Sequence, residues 1–137
     1  MITATRYHDI SAGHRVAGHE GKCQFFHGHN YRIHFTIEGG LDELGRVIDF
    51  GVIKTLLCEW LEIHWDHKFL MWEQDPLLSM LPECFENSLT LVPFNPTAEN
   101  MAGFLLHTIG PDQLPNHVRL VKVQIDETRK CSAEVKL

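Results

Sequence analysis

Residues 11–31 read SAGHRVAGHEGKCQFFHGHNY, and the chain continues RIHFTIE through Glu38. His27 and His29 stand two residues apart, which on a β-strand puts both side chains on one face. Tyr31, Ile33, Phe35 and Ile37 fall on that same face, and Asn30, Arg32, His34, Thr36 and Glu38 on the other. Alternation of this kind marks a strand with one face on a core. The two histidines therefore share the core-facing side. Ile10, Ala12, His14 and Val16 alternate the same way upstream. A hairpin joining strands over 3–17 and 27–38 sets His14 opposite the His27/His29 pair.

Three imidazoles with a thiol, Cys23, among them are what a catalytic zinc site needs. Zinc takes nitrogen and sulfur ligands, and its catalytic sites keep one of four positions open. The competing reading is structural. The chain has ten histidines, and a single inward His is more often a hydrogen-bonded core residue than a ligand. Three on one face are harder to explain that way, because several ring nitrogens would need buried partners.

Downstream, Gly39-Gly40 ends the second strand and Asp42 to Gly45 reads as a turn. A helix is predicted over 50–64, with Asp49 as N-cap. Its stripe is Ile53, Leu56, Leu57, Trp60 and Leu61. Residues 71–96 carry Pro76, Pro82, Pro93 and Pro96 and read as one long irregular connection, open to a lid, an oligomer contact or, as the favoured reading, a tolerated insertion. A second helix is predicted from the N-cap Thr97, with Ala98, Met101, Ala102, Leu105 and Ile109 buried and Gly110-Pro111 as its stop. Strands over 118–127, with Val121, Val123, Ile125 and Glu127 on one face, and over 131–136 complete an α+β order of β-β-α-α-β-β with an antiparallel sheet, as a single domain over 1–137. Four strands with both helices on one face leave open edges, which invites closure of a barrel across subunits.

Composition narrows the partners. The chain has 137 residues, is 44% hydrophobic and 22% charged, and has a formal net charge of -6. No Lys/Arg cluster appears, which argues against nucleic acid or an anionic membrane as partner. None of Cys23, Cys58, Cys84 and Cys131 forms a C-x-x-C pair. The N-terminal residues show no apolar leader, and no segment has the length of a membrane span. A cytoplasmic setting with free thiols is the expectation.

Six motifs in order carry a resemblance. They are SAGH (11–14), C-x-x-x-H-G-H (23–29), IDFGVIK (48–54), DHKFL (66–70), PTAEN (96–100) and ET (127–128). Together they resemble the 6-pyruvoyl-tetrahydropterin synthase / 6-carboxytetrahydropterin synthase family. The resemblance implies a tunnelling fold assembled from trimers into a hexamer, with active sites at subunit boundaries. It implies zinc on His14, His27 and His29, a catalytic thiol at Cys23, a catalytic Asp66–His67 pair and a pterin-anchoring carboxylate at Glu127. Within PTAEN, Thr97 and Glu99 are the further substrate-binding candidates.

The implied substrate is 7,8-dihydroneopterin triphosphate. Three residues separating Cys23 from His27 resemble the carboxy branch of the 7-deazapurine (queuosine) pathway, whose products are 6-carboxy-5,6,7,8-tetrahydropterin, acetaldehyde and triphosphate. A pyruvoyl-type synthase and a non-catalytic assembly protein with structural zinc are the alternatives. Three features depart from the family pattern: the length of 71–96, WDHKFLM in place of LDH-x-x-LN, and the missing aromatic after Glu127.

Overall fold

The computed structural model describes residues 1–137. Its frame is the expected hairpin. Strand β1 (Thr3–His14) pairs antiparallel with β2 (His27–Gly39), from Thr3 opposite Glu38 to His14 opposite His27. β1 leaves the sheet at His14, three residues before the predicted end. Val16 instead donates its N–H to the Cys23 carbonyl at 2.7 Å, so 15–17 belong to the loop that carries the thiol.

The alternation read from the sequence becomes the core. Tyr31, Ile33, Phe35 and Ile37 are buried, with Ile10, Ala12 and His14 beside them. Each fully buried aliphatic side chain contributes roughly 1.5–3 kcal/mol relative to exposure. The first helix covers this face. It runs as α over Phe50–Ile53, widens to π over Lys54–Cys58 and returns to α over Glu59–His64. Asp49 caps it by accepting the Gly51 N–H at 2.7 Å. Ile53, Leu57 and Leu61 are the inward stripe.

The stretch 71–96 corrects the sequence reading. It is not a structureless insertion. β3 (Phe69–Trp72) and β4 (Leu89–Val92) lie parallel to each other, and β3 lies parallel to the end of β1. Two short 3-10 turns, Leu78–Met80 and Glu83–Ser88, join them. The sheet therefore has six strands, not four, in the order β4-β3-β1-β2-β5-β6. β5 (Val118–Asp126) and β6 (Ser132–Lys136) complete the antiparallel half. Open edges remain, at β4 and β6.

The second helix also departs from expectation at its end. Thr97 caps it by accepting the Asn100 N–H at 3.1 Å. The helix then runs Ala98–Phe104, widens over Leu105–Ile109, and continues through Gly110–Gln113 instead of stopping at Gly110-Pro111. Proline is tolerated in a first turn because its missing N–H has no obligatory partner there, and the π widening just before Pro111 starts a new turn. Gly110 is needed for packing: a Cβ there would lie 2.6 Å from Leu120 Cδ2 on β5. No helix is long and apolar enough to cross a membrane.

Candidate active site

The mouth of the β1–β2 hairpin brings three histidines together. One ring nitrogen from each of His14, His27 and His29 lies within 4.8 Å of the others. Their orientation is set by the backbone. His14 Nδ1 lies 2.7 Å from the Pro96 carbonyl, and His27 Nδ1 lies 2.7 Å from that of Phe25. A carbonyl only accepts, so in both rings Nδ1 carries the proton and Nε2 keeps its lone pair. Second partners of this kind commonly orient metal-binding histidines.

Burial holds the His14 pKa down to about 4, against the opposing bond to Pro96, and the neighbouring rings of His27 and His29 lower it further. Burial lowers His29 too, opposed by Glu127 and assisted by His27. Both rings are thereby kept neutral, the form that binds a metal.

Three buried side-chain polar atoms lack hydrogen-bond partners: His14 Nε2, His29 Nε2 and Tyr31 Oη. All belong to this cluster, since the Tyr31 ring centroid lies 5.8 Å from that of His14 and 5.4 Å from that of His29. A buried lone pair without a donor is costly. A cation at the shared focus of the imidazoles would relieve two of the three. The residues present therefore fit a metal ion, and imidazole nitrogen suits zinc among others.

Glu127 faces the cluster, as its place on the Val123/Ile125 side of β5 predicts. Its Oε1 lies 3.4 Å from His14 Nε2 and 3.6 Å from His29 Nε2. The hairpin after it is a tight turn. Thr128 Oγ1 accepts the N–H groups of Lys130 and Cys131, and Glu127 N–H donates to the Cys131 carbonyl. A cavity of about 230 Å³ joins Glu127 to Cys23, Thr97 and Glu99. Four sequence candidates thus share one space. The Thr97 hydroxyl in addition serves as the helix cap.

Asp66 and His67 lie elsewhere on the chain. They line a larger cleft of about 1040 Å³ that includes Glu127 but not Cys23. Asp66 Oδ1 accepts the Ser11 N–H at 2.9 Å, and Asp66 Oδ2 accepts from His67 Nδ1 at 2.8 Å. Burial acts to raise the Asp66 pKa, but the Ser11 N–H and His67 outweigh it and hold the carboxyl below the usual range. His67 is the one non-glycine residue at positive φ, 58°. Such backbone is uncommon outside glycine and gathers at functional sites. The His67 side chain is 81% exposed. The Asp-His pair is thus assembled by its own chain; it shares a cleft with Glu127, and His67 shares a second one with His27 and His29, but neither cleft includes Cys23.

The backbone partners Pro96 and Phe25 had no signal in the sequence, since any residue supplies a carbonyl.

The site thus joins a hairpin-borne histidine triad that could hold a metal ion, a thiol and a carboxylate in one cavity, and an Asp-His pair in the adjoining cleft. The family model described as 6-pyruvoyl tetrahydropterin synthase matches residues 3–137. The chain belongs to that family and is one of its lyases. It is 38% identical to 6-carboxy-5,6,7,8-tetrahydropterin synthase of Rickettsia typhi, over 98% of this chain and 100% of that one. It is 36% identical to the probable 6-carboxy-5,6,7,8-tetrahydropterin synthase of Halobacterium salinarum, over 90% of this chain and 79% of that one. The fold is the family's tunnelling fold. An uncharacterized protein from Wolinella succinogenes superposes with a TM-score of 0.87 at 23% identity, covering 98% of this chain and 97% of that one. The Caenorhabditis elegans 6-pyruvoyl tetrahydropterin synthase does so with 0.71 at 27% identity, covering 99% and 95%.

Proposed function

We propose that this chain, acting as one domain over 1–137, is a zinc-dependent lyase of 7,8-dihydroneopterin triphosphate. With water it would yield 6-carboxy-5,6,7,8-tetrahydropterin, acetaldehyde and triphosphate. One observation carries the reading: Cys23 and Glu127 share a cavity whose Glu127 wall abuts the three-histidine cluster. The relatives named for the carboxylated product support the choice of product.

His14, His27 and His29 would hold the zinc, which supplies Lewis-acid polarisation of the substrate's side-chain oxygens. Cys23 is the base that takes a proton from the neighbouring carbon. Its thiol is half-buried in the cavity that it shares with Glu127. Glu127 accepts two adjacent N–H bonds from the pterin pyrimidine edge. Thr97 and Glu99 border the same ring. Asp66 holds His67 with Nε2 outward, ready to receive or return a proton.

Cys23 and His67 line different cavities of one chain. We place them together across a subunit boundary, so that a neighbouring copy's Asp-His pair completes each site. The exposed edges β4 and β6 supply the means of assembly, with a hexamer of two trimers as the expected closed form. Four unpaired cysteines agree with a cytoplasmic setting.

The direct test is to incubate the zinc-loaded protein with 7,8-dihydroneopterin triphosphate and weigh the product. The carboxylated pterin with acetaldehyde is the expected result. A product that keeps its three-carbon side chain would assign the pyruvoyl-forming reaction instead, and unchanged substrate would sink the lyase reading.

The anchor is tested separately. Glu127→Gln is expected to weaken binding of a pterin, because a carboxamide cannot accept both ring N–H bonds. One poorly paired buried polar group costs about 1–3 kcal/mol, or roughly ten- to a hundredfold in affinity. Calorimetry on the variant reads this. Normal binding would make Glu99 the next candidate.

A further inference from the structure

The stretch 71–96 reaches into the loop that carries Cys23. Asp75 sits in the turn after β3, with its side chain only 1% exposed. Its Oδ2 accepts from Arg15 Nε at 2.7 Å, and its Oδ1 accepts the Leu77 N–H at 2.9 Å. The same Arg15 guanidinium donates to the carbonyl of Gln24 at 3.0 Å. The carbonyl of Cys23, one residue earlier, takes the Val16 N–H at 2.7 Å. Two consecutive carbonyls at the thiol are thus held from the far side of the loop. A second tie lies close by: Asn95, at the other end of the stretch, accepts the Ala17 N–H at 3.0 Å and donates to the Ala17 carbonyl at 2.9 Å.

We propose that Asp75 is a positioning residue which, through Arg15, fixes the Cys23 loop so that the thiol stays at the proton it removes. The inference rests on the reading of Cys23 as the base. The physical need is clear from the loop itself. Its regular structure is a single short 3-10 turn, Lys22–Gln24, with no buried residue. Such a segment has little packing of its own to resist local opening. A charged pair inside the protein is well suited to the task, because the guanidinium is a rigid planar donor that reaches two acceptors at once. Its two partners here are a buried carboxylate and a loop carbonyl. Neutralising the acid leaves Arg15 partly buried without its counter-charge, and that frees the loop.

The experiment uses the zinc-loaded chain and the Asp75→Asn variant, which retains an acceptor for Leu77 N–H. Native-state hydrogen exchange is read across the whole molecule, together with kcat, KM and zinc content. Exchange over residues 18–26 is expected to quicken while β2 and β5 stay protected. A thiol displaced by about 1 Å costs up to about a hundredfold. The expected loss is therefore about ten- to a hundredfold in kcat, with KM and zinc content unchanged. Arg15→Lys keeps the charge but loses the fork; it should fall between wild type and Asp75→Asn, and it serves alone if Asp75→Asn does not fold. Exchange that quickens uniformly over the sheet, or a loosened loop with kcat unchanged, overturns the proposal. Exchange needs no substrate, so it tests the clamp apart from the reaction. A wild-type chain that leaves the substrate intact would instead fail the functional reading.

Discussion

Replacing His27 and His29 together by alanine is expected to abolish metal binding and, with it, turnover. Only His14 would remain of the cluster, and no other His, Cys, Asp or Glu group of the chain forms a comparable one. A lone imidazole does not hold zinc against water, because zinc sites in proteins use three or four protein ligands. The fold should survive. His27 and His29 are only partly buried at the strand mouth, and the apolar residues that follow them on β2 carry the packing. Removing two imidazoles also removes one of the orphaned lone pairs, that of His29 Nε2, so the stability of the metal-free protein should change little. Elemental analysis should read about one zinc per chain in wild type and none in the double variant, with thermal melting of the two metal-free forms closely similar. Full zinc content in the double variant would overturn the ligand assignment.

Cys23→Ala is expected to lower turnover by about a hundred- to ten-thousandfold, the usual contribution of a positioned base. Zinc content and pterin binding should be retained. The thiol is not among the clustered ligand atoms, and Glu127, not Cys23, faces the rings of His14 and His29. Loss of zinc in Cys23→Ala would make the thiol a ligand. The same variant tests assembly. If the base and the Asp-His pair of one site come from different copies, Cys23→Ala and His67→Ala are each inactive alone but recover part of the activity when refolded together. Some mixed boundaries then hold an intact thiol and an intact imidazole. No recovery on mixing would place both groups within one chain.

Period-two patterning made the central hairpin legible down to its register. His14 was expected opposite the His27/His29 pair, and it lies opposite His27 with Ala12 opposite His29. The helix caps Asp49 and Thr97 were legible for a similar reason, since a cap is a local hydrogen bond between side chain and backbone. Glu127 was legible as inward-facing because it continues the Val123 and Ile125 alternation. Strands β3 and β4 were not. FLMW and LTLV are four residues each, too short to display a period, and both are parallel strands whose pairing depends on residues distant in sequence. The run past Pro111 was missed because the π widening that accommodates it is not encoded in any single residue.

The sequence by itself determined which side chains face the core, where the helices begin, and that three histidines converge; that the Glu127 carboxylate meets them came from the fold. The first three follow from strand period, local capping and hydrophobic burial, all properties of neighbours along the chain. Only the tertiary structure decided that Pro96 and Phe25 orient the imidazoles, that His67 sits at positive φ with its N–H on the Ser11 carbonyl of β1, that Asp75 reaches Arg15, and that Cys23 and His67 of one chain line different cavities. Apart from the local Phe25 bond, whose geometry the loop conformation sets, each depends on a contact between segments far apart in sequence. The energy of such a contact exists only once the chain has closed on itself, and it leaves no periodic trace in the residues that make it.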